Sequence, residues 1–168
     1  MRKVLFILSE LIDADIDWIV SIGTRQTIAP KTVLIQEGQP VNTLYILLEG
    51  ELSVSTGALG GREIARLGQG EIVGEMSFVD SRPPSATVKA AQASQVFAIP
   101  QTDLAEKLAR DVGFASRFYR AMAMFLSSRL RSTVSQLGDA GETSSEANES
   151  NQTAQARLAM LLKRLREK

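Results

Sequence analysis

The chain has 168 residues, 19 Lys and Arg against 19 Asp and Glu, no formal net charge, and an apolar fraction of 44%. That length supports one self-sufficient core, and a neutral molecule offers no general attraction to nucleic acid or an anionic membrane. Cysteine and histidine are both absent, which excludes disulfides, a thiolate nucleophile, a Cys/His metal site and the commonest general base, so no enzyme is expected.

The lack of cysteine suits a reducing, cytoplasmic setting. The apolar run Val4-Leu5-Phe6-Ile7-Leu8 follows Arg2-Lys3, but it is too short for a signal peptide, and Glu10, Asp13, Asp15 and Asp17 come straight after it. No stretch approaches the roughly eighteen apolar residues of a membrane span. Residues 9–22 read as an amphipathic helix, with Ile12, Ile16, Ile19 and Val20 at helical spacing and Gly23 where a C-terminal cap belongs.

From residue 24 to 99 the texture changes. Short β-rich runs at 32–36, 43–48, 52–56, 63–67, 86–90 and 95–99 alternate with glycine-rich turns, which predicts an antiparallel roll instead of a parallel α/β sheet. Helical period returns at 102–109 and, over a longer span, at 114–137. On the long helix Phe114, Phe118, Met122 and Phe125 form one stripe. Tyr119, Ala123, Leu126, Leu130, Thr133 and Leu137 form a second at alternating spacings of four and three, the seam of a two-helix coiled coil, so a homodimer is expected.

Residues 138–153 carry four acids and no large apolar side chain, the composition of a disordered linker. In 154–168, Leu158, Leu161, Leu162 and Leu165 share a helical face, with five basic residues against one acid. This tail is open to three readings: a docking helix for a partner or an anionic membrane, a frayed end, or an extension of the dimer. The expected organisation is therefore a roll with its N-terminal helix over 1–112, a dimer helix over 113–137, the linker, and the basic tail.

Four motifs occur in order: Glu37-Gly38-Gln39-Pro40, Leu44-Tyr45-Ile46-Leu47 followed by Glu49-Gly50, Gly74-Glu75, and Ala86-Thr87-Val88. Together they resemble the regulatory domain of the Crp/Fnr and cyclic-nucleotide-receptor families over residues 9–137. The resemblance implies a mainly β fold with flanking helices: a jelly-roll with an N-terminal helix and a long C-terminal dimerisation helix. It also implies a phosphate-binding cassette between Gly74 and Val88. In such a cassette the amides of Gly74, Glu75, Met76 and Ser77 and those of Ser85, Ala86 and Thr87 surround a cyclic phosphate. The Glu75 carboxylate accepts from the ribose, and Thr133 on the long helix reaches the base. The implied ligand is cAMP, cGMP or another anionic small molecule, and the implied role is a sensor signalling to a protein partner.

One family residue is missing. The cassette arginine that pairs with the phosphate is replaced by Pro84, which has neither charge nor N–H. Arg82 lies two residues earlier on a stiff Pro-Pro loop, and Arg66 is a second candidate cation. A Crp-like regulator also continues into a helix-turn-helix domain of some seventy residues. The residues after the long helix are too few for one, so direct DNA binding is not expected. The alternative is a ligand-free scaffold that keeps the roll as architecture.

Overall fold

The computed structural model describes residues 10–138 together with 159, 160, 163 and 164. The expected linker and most of the basic tail lie outside the described residues. Helices are α1 (Asp13–Ile22), α2 (Glu75–Asp80), α3 (Gln101–Arg110) and α4 (Val112–Gly138). Strands are β1 (Thr24–Ile28), β2 (Val33–Ile35), β3 (Thr43–Glu49), β4 (Leu52–Thr56), β5 (Arg62–Leu67), β6 (Ile72–Val73), β7 (Thr87–Ala90) and β8 (Ser94–Pro100). These residues form two compact units, one from Ser21 to Lys107 and one helical unit from the residues on either side of it.

The first unit is the expected antiparallel roll. Two four-stranded sheets run β1-β8-β3-β6 and β2-β7-β4-β5. Strand β8 sits between β1 and β3 and is buried along most of its length, which suits its sequence Ser-Gln-Val-Phe-Ala-Ile-Pro. Between the sheets Ile35, Leu47, Leu52, Leu67, Val73, Val88, Ala90 and Val96 make one cluster. Burying a side chain such as Leu52 or Leu47 stabilises by about 1.5–3 kcal/mol each.

Two strands escaped the sequence pattern. Strand β1 reads Thr-Arg-Gln-Thr-Ile and buries only its last residue, because it is an edge strand bonded to β8 alone. Strand β6 has two residues and is defined by its ladder to β3, Tyr45 opposite Val73 and Ile46 opposite Ile72. Gly23 was expected as a helix cap, which calls for a positive φ, but it is not among the positive-φ glycines. The ring of Phe97 occupies the place a side chain would take.

Ser53 is the exception in β4. It lies opposite Arg66 and Lys89 in register, is 1% exposed, and its Oγ has no hydrogen-bond partner among the described residues. A buried hydroxyl without a partner costs about 1–3 kcal/mol. Ser53→Ala is therefore expected to raise stability by about 1 kcal/mol, a shift of about 2–4 °C in melting temperature. A fall in thermal midpoint would show that the hydroxyl is engaged.

In the helical unit, residue 9, where the helix was expected to begin, lies outside the described residues; Glu10 is helical, the helix is interrupted at Leu11 and Ile12, and α1 follows from Asp13. The chain turns at Ile12, whose carbonyl accepts from the amides of Asp15 and Ile16 and whose own amide donates to the Asp15 carboxylate. Helix α4 is capped by Asp111, whose Oδ1 accepts from the Phe114 amide at 2.9 Å. Its expected inner stripe is buried, with Phe114, Phe118, Met122 and Phe125 each at 2% exposure or less. The Phe114 ring meets Trp18 edge-on at 5.3 Å and stacks on Phe118 at 5.7 Å. On the second stripe Tyr119, Ala123, Leu130 and Thr133 are exposed and Leu126 is half-buried; the side chain of Leu137 lies outside the described ones. No described helix is long and apolar enough to cross a membrane.

Candidate ligand-binding site

The stretch from Gly74 to Val88 runs as turn, short helix, loop and strand. The turn requires glycine: φ is +88° at Gly74, and a Cβ there would lie 2.7 Å from the Thr43 carbonyl oxygen. The Gly74 carbonyl accepts from the Phe78 amide at 3.2 Å and from Gln101 Nε2 at 3.3 Å. The amides of Glu75, Met76 and Ser77 belong to the first turn of α2 and have no intrahelical acceptor. The Glu75 side chain is buried, Met76 is exposed, and Ser77 is half-buried.

The helix ends at Ser81, in the left-handed region with φ of 58°, whose amide donates to the Ser77 carbonyl. The loop that follows is held from two other segments. The Gly38 amide donates to the Pro84 carbonyl at 2.9 Å, and the Thr56 hydroxyl donates to the Ser85 carbonyl at 3.4 Å. At the start of β7, Thr87 Oγ1 accepts from the Glu37 amide at 3.1 Å and from Gln36 Nε2 at 3.3 Å. The Glu37 carboxylate in turn accepts from the Gly57 amide at 2.7 Å. The roles of Glu37, Gly38 and Thr56 in clasping the loop were not apparent in the sequence, where Glu37-Gly38 reads only as a turn. The side chain of Thr87 serves this clasp.

Both candidate cations, Arg82 and Arg66, lie at the surface. The Arg82 side chain is 83% exposed, with its Nε 3.9 Å from Asp80 and its amide donating to the Asp80 carboxylate. Arg66 is committed on the surface to Glu63 at 2.7 Å and Glu51 at 2.6 Å. Hydrogen bonds from Arg66 to Glu63 and Glu51 raise its pKa further above the usual guanidinium value, so it stays charged and paired. Thr133 belongs to the helical unit, where its hydroxyl donates to the Arg129 carbonyl at 3.0 Å. The described residues contain no group of three carboxylates that would hold a metal ion.

A double-sheet antiparallel roll carrying a Gly-Glu turn, a one-turn helix and a clasped loop defines a class of small-ligand regulatory domains. The chain belongs to the cyclic nucleotide-binding domain family, whose model matches residues 25–111. It is 28% identical over 109 residues, 65% of its length, to a putative potassium channel protein of Rhodopseudomonas palustris. Over 61 residues, 36% of its length, it is 39% identical to a cGMP-dependent protein kinase of Toxoplasma gondii. The matches span only 26% and 6% of those two relatives. In fold it is similar to a cyclic nucleotide-binding domain from Methylobacillus flagellatus, with a TM-score of 0.72, 23% identity and coverage of 84% of this chain and 85% of that one.

Proposed function

We propose that the chain is a regulatory sensor domain whose cyclic-nucleotide binding is weakened and which passes its ligand state to a protein partner. The observation that carries this reading is Pro84 at the cassette position where the family pairs arginine with phosphate. A charge-assisted pair of this kind contributes on the order of 1.5–3 kcal/mol, so its loss weakens binding by at least about tenfold. The outward commitments of Arg66 and Arg82 support the reading, since neither supplies a replacement. Both relatives are longer proteins named for a channel or a kinase, which fits a module that reports to an effector.

The exposed face of α4 carrying Tyr119, Ala123, Leu130 and Thr133 supports a seam with a second copy of the chain. Ligand binding would then act by shifting the population of two arrangements of that helix pair, which requires different affinities for the two.

The test is isothermal titration of the native chain and a Pro84→Arg variant with cAMP and cGMP. The variant is expected to bind at least about tenfold more tightly. The Pro84 carbonyl that accepts from Gly38 is retained in the substitution, so the clasp survives it. Silence from both proteins would mean a roll kept as a ligand-free scaffold and would sink the sensor reading.

A further inference from the structure

Acids near the N-terminus are met by arginines from later in the chain. Glu10 pairs with Arg120 at 2.7 Å, and the buried Asp15 holds Arg117 at 2.6 Å. Both of those arginines lie on α4. Asp17, one turn beyond Asp13 on α1, accepts instead from Arg164, which belongs to the basic tail. All of these residues are part of the helical unit.

The described residues of that tail are helical, and their exposure follows the helical period. Ala159 and Lys163, four apart, are exposed; Met160 and Arg164, also four apart, are half-buried. One face is open to solvent and the adjacent one is partly covered. For its part, α1 carries three aspartates and no Lys or Arg, and Asp13, Ala14 and Asp17 are exposed on it. Residues 154–168 hold five basic residues against Glu167. The two segments are therefore opposite in charge where they meet, although the chain as a whole is neutral. Reach is no obstacle. Helix α4 has 27 residues and is about 40 Å long, whereas residues 139–158 supply enough chain to span about 65 Å.

We infer that the acidic outer face of α1 is the docking surface for the chain's own basic tail, with Arg164 and Asp17 as the anchoring pair. The tail is thereby held against the N-terminal helix of its own chain instead of being offered to an outside partner or an anionic membrane. A partly exposed ion pair contributes little alone, so the docking draws on the summed charge of the two segments and weakens as salt rises. It concerns the helical unit and stands whether or not the roll binds a ligand.

The chain supplies its own probe. Trp18, beside Asp17, is its one tryptophan, and it has no cysteine. A Lys163→Cys variant of the full chain is labelled at that exposed position with a fluorophore that accepts tryptophan emission, so energy transfer reports docking. Transfer is expected at low salt and should fall as salt is raised. Adding Asp17→Arg or Arg164→Asp should each shift the ratio of docked to free tail by about fivefold or more toward free. The two reversals together should restore it, and far-UV circular dichroism of every variant checks that its fold is intact. Rescue is the readout that a merely local loss of structure would not give. Absence of transfer at low salt overturns the inference, as does transfer unchanged by either reversal or a double reversal that fails to restore it. So does transfer that disappears on equilibration with excess unlabelled Trp18→Phe chain, which would place the tail on a second copy.

Discussion

Asp15→Ala is expected to destabilise the protein by about 3 kcal/mol, measured by urea unfolding at neutral pH. Asp15 is 4% exposed and holds Arg117 through both carboxylate oxygens, with Arg117 Nε at 2.6 Å and a terminal guanidinium nitrogen at 2.8 Å. The same carboxylate accepts from the Ile12 amide at 3.0 Å and so closes the start of α1. Alanine leaves that amide and the guanidinium without their acceptor, and it is the stranded partners that make such a deletion costly. The pair joins residues 102 apart in sequence, so it fastens α1 to α4 within the helical unit.

The sign of the pH dependence follows from the same contacts. Burial raises the Asp15 pKa, but the hydrogen bonds from Arg117 and Ile12 and the Arg117 charge outweigh it and hold the carboxyl below its ordinary value. A group with a depressed folded pKa contributes stability above its unfolded value, near 3.9, and that contribution is lost as pH falls through the folded value. The native chain should therefore lose stability on acidification below about pH 4 more steeply than Asp15→Ala. Parallel slopes for the two proteins in that window would show that Asp15 is not linked to folding.

The roll was legible because its strands are apolar runs cut by glycine turns, and a period of two over five residues leaves few alternatives. The inner stripe of α4 was legible for the matching reason at a period of 3.6. Strand β1 was not, since an edge strand that buries one residue in five has no apolar alternation to read. The segment from the Gly74-Glu75 turn to Pro84 could be picked out from single positions. Its support could not. The clasp joins Gly38 to Pro84, Glu37 to Gly57 and Thr56 to Ser85, and no local pattern reports contacts across such separations. Nor could alternation in β5 say whether Arg66 faced the ligand or the solvent; that depended on Glu51 and Glu63 standing beside it.

Gly23 shows the same limit, and its substitution should be among the most damaging single changes in the roll. A Cβ built at Gly23 lies 2.1 Å from Phe97 Cζ, with Cε1 and Cε2 at 2.6 and 2.7 Å. Phe97 is fully buried in β8, opposite Arg25 on one side and Ile46 on the other, so the ring has no empty space to retreat into. Gly23→Ala must shift the ring or the backbone leading into β1, at a cost of about 3 kcal/mol. The cause can be isolated with a double-mutant cycle. Phe97→Leu removes the far end of the ring and carries its own cavity cost. In that background Gly23→Ala should be milder by about 1 kcal/mol or more, because the added methyl now has room. Equal costs in the two backgrounds would mean that the glycine is required by the backbone and not by the ring.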